Sequence, residues 1–251
     1  MSTELERKLE EALHRIERLE AAQACRNLMG KYSYYHTAFR NKDYMTLWAQ
    51  REDSYFKFPF GQYIGYEAIA HCYLVEHGDR DDPGMDQKLQ GIMTMHELDT
   101  EVLEVAADCK TAKGVWISPG HETFMRNPEN VDPAKEPEKL VADPMWAWSK
   151  YEVEFIRDTD GTWKLWHMVL YPLFKTGYHQ SWTEGAEIVE QPINPEPDQV
   201  KPGEVNPMTG QQAPDFWQWS PTAVYPAHEP EPPVPYENAE QMPHKIIVPE
   251  A

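Results

Sequence analysis

His96 stands in Met93-Thr-Met-His-Glu-Leu-Asp-Thr-Glu-Val-Leu-Glu-Val105, an apolar stretch read as a strand, and Tyr32-Ser-Tyr-Tyr-His36 places phenols and a second imidazole at helical spacing. A base that titrates near neutrality, beside hydroxyl donors and apolar walls, suits proton transfer on a small organic substrate without a metal or nucleotide. Tyr32, Tyr35 and His36 share one helix face, whereas Tyr34 points elsewhere and reads as an ordinary aromatic. His121, in Trp116-Ile-Ser-Pro-Gly-His-Glu-Thr123, follows a Pro-Gly break where a bulge could aim it at a pocket. The catalytic candidates are therefore His96, Tyr32, His36 and His121.

The candidates for substrate contact are Tyr35, Tyr55, Trp116, Trp148, Lys150 and His167. Alternation puts Trp146 and Trp148 on one strand face with Lys150 in line, a substrate wall or, equally, core packing. His167 alternates with Trp163 and Leu165, which favours a hydrogen-bonded core histidine over a catalytic one.

Absent motifs narrow the chemistry. The chain has no GxGxxG, P-loop, HExxH or GxSxG, and Cys25, Cys72 and Cys109 lack any CxxC spacing. No metal and no cofactor is expected, and the thiols read as reduced and mostly buried. A net charge of -19 opposes nucleic acid and anionic lipid. The charged start Met1-Ser-Thr-Glu-Leu-Glu-Arg-Lys has no apolar region behind it, and no run approaches a membrane span, so a cytoplasmic protein is expected.

These residues need elements to position them. Thr3 and Glu6 form a capping box, and Leu5, Leu9, Ala12, Ile16 and Leu19 then follow at spacings of four and three, the pattern of a helix that packs on another helix. The stripe reads as a subunit contact or as one end of a helix lying on its own domain, the second being favoured. The helix is expected to run to about Phe39, with a stop at Asn41 and a short second helix capped by Asp43. A strand over 55–60 and a helix over 67–77 follow. Strands are expected over 92–98, 102–106, 111–124, 146–157 and 163–174, with hairpin turns at 107–110 and 158–161 and a surface loop between Arg126 and Pro144. Helices first and an antiparallel meander after them predict an α+β fold, a curved sheet wrapped around the helices.

Residues 1–185 are expected to form this domain and 186–251 an extended tail. The tail carries most of the 22 prolines, yet Phe216, Trp217, Trp219, Tyr225 and Tyr236 offer apolar anchors. Ordered wrapping of about 192–236 on the barrel or a neighbouring subunit is therefore expected.

Leu28-Met-Gly-Lys-Tyr-Ser-Tyr, Leu47-Trp48, Gly65-Tyr-Glu-Ala-Ile69, the His96 strand and Asp160-Gly-Thr-Trp-Lys-Leu-Trp-His167 occur in an order that resembles the SnoaL-like branch of the nuclear transport factor 2-like superfamily. The resemblance covers about residues 10–180. It implies a cone-shaped barrel with a ligand at its mouth, and a dimer or trimer. Dehydratases of that superfamily use tyrosine, aspartate and histidine without a cofactor, and a diarylpropane lyase similar to them releases formaldehyde. Tyr32 and His96 match the superfamily's tyrosine and histidine. Its aspartate has no match, since Thr37 or His36 stands there, which leaves His36 or His121 to take that part.

The function expected is a cofactor-independent lyase acting on a small aromatic or polycyclic alcohol, with loss of water or a small carbonyl fragment. A non-catalytic small-molecule binding module and a steroid-type isomerase are the alternatives, the latter lacking a clear acidic base.

Overall fold

The computed structural model describes residues 3–58, 61–183, 219, 224 and 229–249. Thr3 caps helix α1 (Glu4–Thr37) reciprocally with Glu6. Only the C-terminal half of α1 packs into the domain. Ala21, Cys25, Leu28, Met29 and Tyr32 are buried, while residues 4–16 are exposed throughout. The stripe from Leu5 to Leu19 thus does not lie on its own domain, against the favoured expectation. Helix α1 ends when Phe39 enters the left-handed region at φ 54°. Asn41 opens helix α2 (Asn41–Met45) rather than ending α1, and its amide donates to the Gly78 carbonyl at 2.7 Å.

Strands β1 (Tyr55–Phe58) and β2 (Gly61–Ile64) form a hairpin, and helix α3 (Tyr66–His71) runs on into a π-type turn to His77. After the single turn α4 (Met85–Lys88) come β3 (Met93–His96), β4 (Asp99–Val105), β5 (Thr111–Ser118), β6 (Gly120–Arg126), β7 (Val141–Arg157) and β8 (Trp163–Gly177). All pair antiparallel except β1 on β8.

The long strand expected over 111–124 is broken at Pro119, which has no N–H to give the ladder. β5 and β6 nevertheless keep one register along β7, Ser118 facing Ser149 and His121 facing Trp146. β7 begins at Val141, so part of the segment expected as a surface loop is strand. Both hairpin turns form where expected, with Cys109 and Gly161 at positive φ.

The concave face of this sheet closes on α1, α2 and α3 through a core that includes Met29, Tyr44, Trp48, Ile69, Trp116, Val153, Phe155 and Leu165. The convex face is covered in part by residues 229–249. Tyr236 and Met242 pack on Ala106, Ile246 packs on Tyr55 and Val169, and the Tyr236 carbonyl accepts from Ala107 N at 2.9 Å. Trp219 donates its backbone N–H to the Leu173 carbonyl at 2.9 Å. The rest of the segment expected to wrap, including Trp217 and Tyr225, lies outside the described residues. Among the described residues no helix is long and apolar enough to cross a membrane, and all three cysteines are free and buried.

Beneath residues 229–249 lies a buried charge cluster. Lys113 Nζ meets Glu152 at 2.6 Å and Glu154 at 3.4 Å, and also donates to the His244 carbonyl. Glu154 accepts from Ile246 N at 2.6 Å, and its other oxygen lies 2.6 Å from His167 Nδ1. Removing one member of such a network leaves a buried charge without compensation. Lys113→Met should therefore destabilise the protein by about 3–5 kcal/mol, read as a lower urea midpoint; a loss under about 1 kcal/mol would contradict this account.

Candidate functional site

Strand alternation decides what enters the cone. On β6 the side chains of Glu122 and Phe124, in phase with Gly120, point inward, and those of His121 and Thr123 point away. The cavity of about 350 Å³ is bounded by Tyr32 and His36 from α1, Phe56 and Phe58 from β1, Tyr73 and His77 from the π-type turn, and Thr94 and His96 from β3. Glu122, Phe124, Trp148, Ser149, Tyr151, Phe174 and Lys175 complete much of the remaining wall.

Its polar centre is a chain of three ionisable groups. His96 Nε2 lies 3.3 Å from one Glu122 oxygen, and Lys175 Nζ lies 2.6 Å from the other. Burial alone would raise the Glu122 pKa, but the His96 contact and the Lys175 charge overcome it and hold the carboxyl at about 2. The His36 ring stacks on Tyr32 at 5.7 Å and comes within 5.6 Å of the His96 ring, centroid to centroid. Burial, with repulsion from His96 and His77, lowers the His36 pKa to about 3, so this imidazole is neutral at physiological pH. Tyr32 and Tyr151 share a hydrogen bond of 2.8 Å between their hydroxyls. Burial raises both phenols above their ordinary value, so they keep their protons.

His96 can reach Glu122 because residue 120 is glycine. His96 and Gly120 are cross-strand neighbours, and a Cβ on Gly120 would lie 2.2 Å from the Ala147 carbonyl oxygen and 2.8 Å from His96 Nδ1. Three polar atoms of the wall, His96 Nδ1, Thr94 Oγ1 and Ser149 Oγ, are buried without a hydrogen-bond partner among the described residues. Such groups are costly alone and favour an arrangement that supplies one.

Of the sequence candidates, the structure brings His96, Tyr32, His36 and Trp148 together, Trp148 being stacked on Phe174 at 5.8 Å. The others lie elsewhere. His121 packs on Trp146 at 4.8 Å, because Glu122 rather than His121 has the inward parity. Trp116 is core, edge-on to Phe155. Tyr35 packs at the rim of the core under the Arg40 guanidinium.

Tyr55, Lys150 and His167 are on the convex side. The Tyr55 hydroxyl donates to Gln62, Lys150 Nζ donates to the Glu229 carbonyl at 2.7 Å, and His167 is held between Glu154 and the Asp53 carbonyl. Glu122, Lys175, Tyr151, Tyr73 and His77 were not singled out from sequence. Period-two alternation from Gly120 was the signal for Glu122.

Away from the cavity, one atom each of His14, Glu17 and Cys109 come within 4.8 Å of one another. Glu17 there is engaged by Arg157 at 2.6 Å, a cation that opposes a metal ion.

The depressed pKa values have a consequence for acid stability. His36 has an ordinary value of 6.5, so between about 6.5 and 3 the unfolded chain binds a proton that the folded one does not. Its neutral burial is thus a liability that grows as pH falls through that window. The favourable contribution of ionised Glu122 is complete above its ordinary 4.5 and is lost as pH falls to about 2. Unfolding free energy measured against pH should fall on acidification from near 6.5. His36→Phe should flatten the upper part of that curve and Glu122→Gln the lower part, whereas identical curves for all three proteins would contradict these assignments.

Residues 17–169, more than half of the chain, match the SnoaL-like domain. Among solved structures, a scytalone dehydratase-like protein of Novosphingobium aromaticivorans DSM 12444 is similar at 16% identity and TM-score 0.46, covering 70% of this chain and 98% of that one. The hexachlorocyclohexane dehydrochlorinase LinA-type3 of Novosphingobium barchaimii LL02 has 16% identity and TM-score 0.46, over 66% and 96% of the two chains. A nuclear transport factor 2-like superfamily protein of Salmonella enterica has 15% identity and TM-score 0.44, over 64% and 97%. No match was found among curated proteins. The domain match alone carries the assignment: the chain belongs to the SnoaL-like domain family.

Proposed function

We propose that the protein is a cofactor-independent lyase that removes water or a small carbonyl fragment from an aromatic or polycyclic alcohol. The observation that supports this most is the His96–Glu122–Lys175 chain inside an aromatic cavity beside the Tyr32–Tyr151 hydroxyl pair. Apolar walls with a few convergent polar groups suit a small, largely apolar substrate.

In the dehydration form of the reaction, His96 takes the proton from the carbon next to the carbinol carbon. The C–H electron pair becomes the new double bond, and the C–O bond breaks. Glu122, kept anionic by Lys175, orients the imidazole and balances the charge that it gains. The phenols hold their protons too firmly to serve as acids, so Tyr32 and Tyr151 act as hydrogen-bond donors to a substrate oxygen. The leaving hydroxyl then takes its proton from the His96 imidazolium and departs as water. In the carbon–carbon cleavage form, the same base removes a hydroxyl proton, the O–H electron pair becomes the C=O bond of the departing carbonyl fragment, and the C–C pair stays on the aryl-bearing carbon, which takes the proton back from the His96 imidazolium. His36, neutral and wedged between Tyr32 and His96, shapes the cavity as an uncharged partner.

The superfamily's missing aspartate therefore has a substitute that is neither His36 nor His121, namely Glu122 from β6. Glu122 also supplies the cavity carboxylate that an isomerase would need. A carboxyl held at about 2 by two partners is a poor base, which keeps isomerisation second. A binding module would need the aromatic wall but not the ion chain.

A panel of benzylic and polycyclic alcohols, followed by absorbance of the new conjugated bond and by trapping of released aldehyde, tests this reading. Turnover is expected in the presence of a strong chelator, and activity that required an added divalent ion would refute it. Tight binding of panel members with no product would favour the binding module. Against an active substrate, His96→Ala should lower kcat by about two to four orders of magnitude, and Tyr32→Phe by less. Glu122→Gln should also lower kcat, through loss of the orienting charge. Unchanged turnover in a folded His96→Ala protein would remove His96 from the reaction.

A further inference from the structure

The N-terminal end of α1 is built for a partner that the folded domain does not provide. Leu5, Leu9, Leu13, Ile16 and Leu19 are 50–76% exposed, in a helix whose residues 4–16 are exposed throughout. The domain-facing side is defined further along by Ala21, Cys25, Leu28 and Tyr32, and it continues back through Arg18, which donates to the Val105 carbonyl at 2.8 Å, and His14, beside Cys109. The apolar stripe 5-9-12-16-19 is offset from that side by two residues, or about 200° at 100° per residue, and so faces away from the cone. The SnoaL-like match begins at residue 17, so most of this stretch lies outside the matched residues. A helix end of this length is marginal in water without packing.

We infer that residues 4–20 pair with the same segment of a second copy as a parallel two-stranded coiled coil. The heptad phase makes Leu9 and Ile16 a positions and Leu5, Ala12 and Leu19 d positions, and Leu13 at an e position widens the seam. The flanking charges select the occupant and its direction. Arg15 is a g position and Glu20 the following e position, so in a parallel pair each Arg15 meets the Glu20 of its partner, twice by symmetry. In an antiparallel pair Lys8 would face Arg15 and Glu6 would face Glu20, both like-charged. Neither Arg15 nor Glu20 makes an ion pair among the described residues. A β-branched a residue with leucine at d also favours two parallel strands. The N-termini of the two copies are thereby brought together, and the two cones hang from the opposite end of the coil with their cavities left open.

Sedimentation equilibrium of the full chain over a range of concentrations tests this. A dimer in reversible equilibrium with monomer is expected. Leu9→Glu combined with Ile16→Glu should shift it at least tenfold toward monomer, while the domain keeps a cooperative thermal unfolding transition because both positions are exposed and outside its core. A wild-type chain that stays monomeric at high concentration would overturn the inference, as would a dimer that survives the double substitution. The direction is tested separately. Arg15→Glu should weaken the dimer and Arg15→Glu with Glu20→Arg should restore it. Tightening by Arg15→Glu alone would mean an antiparallel pair, in which that position meets Lys8, and would refute the parallel arrangement.

Discussion

Taking an ionised group out of water costs several kcal/mol unless opposite charge and hydrogen bonds replace the solvent, and this sheet meets that requirement on both of its faces. On the concave side Glu122 is buried between His96 and Lys175. On the convex side Lys113, Glu152, Glu154 and His167 are buried beneath residues 229–249. Side chains on β7 alternate between the two, Tyr151 and Val153 inward and Glu152 and Glu154 outward. The carbonyl of His244 and the amide of Ile246 complete the outer network. The C-terminal segment is therefore part of the electrostatics of the sheet as well as its cover.

The second constraint is the bend at Pro119–Gly120. Pro119 interrupts the ladder between β5 and β6, and Gly120 lets the β3 strand bring His96 close to the backbone of β7. The same step sets the parity of β6, so that Glu122 rather than His121 faces the cavity. A single local irregularity thus seats the imidazole and chooses its partner, consistent with bends and bulges that re-aim side chains beside functional sites.

Helix α1 serves two environments along one length. From Ala21 onward it supplies the cavity floor through Tyr32 and His36, and before that it leaves the domain with its apolar stripe facing outward. The handover occurs where Glu17 and Arg18 tie the helix to Arg157 and Val105. Both stripes have the same spacing of three and four, and they differ only in phase.

What the chain alone determined is whatever depends on near neighbours: the capping box, the period of α1, the hairpin turns at 107–110 and 158–161, the order of helices before strands, and the pairing of Tyr32 with His36 one turn on. His96 was also legible, because a histidine in an apolar strand is conspicuous in a chain whose helix carries phenols. Contacts between distant segments were decided by tertiary structure. Glu122 reads as one more acid in a chain of 42 acidic residues until β6 turns it toward Lys175, some fifty residues away. Tyr55, Lys150 and His167 have the composition of a site, but the curvature of the sheet sends them to its convex face, where the C-terminal segment meets them. Alternation tells which residues share a face, and only the folded sheet tells which face encloses the cavity.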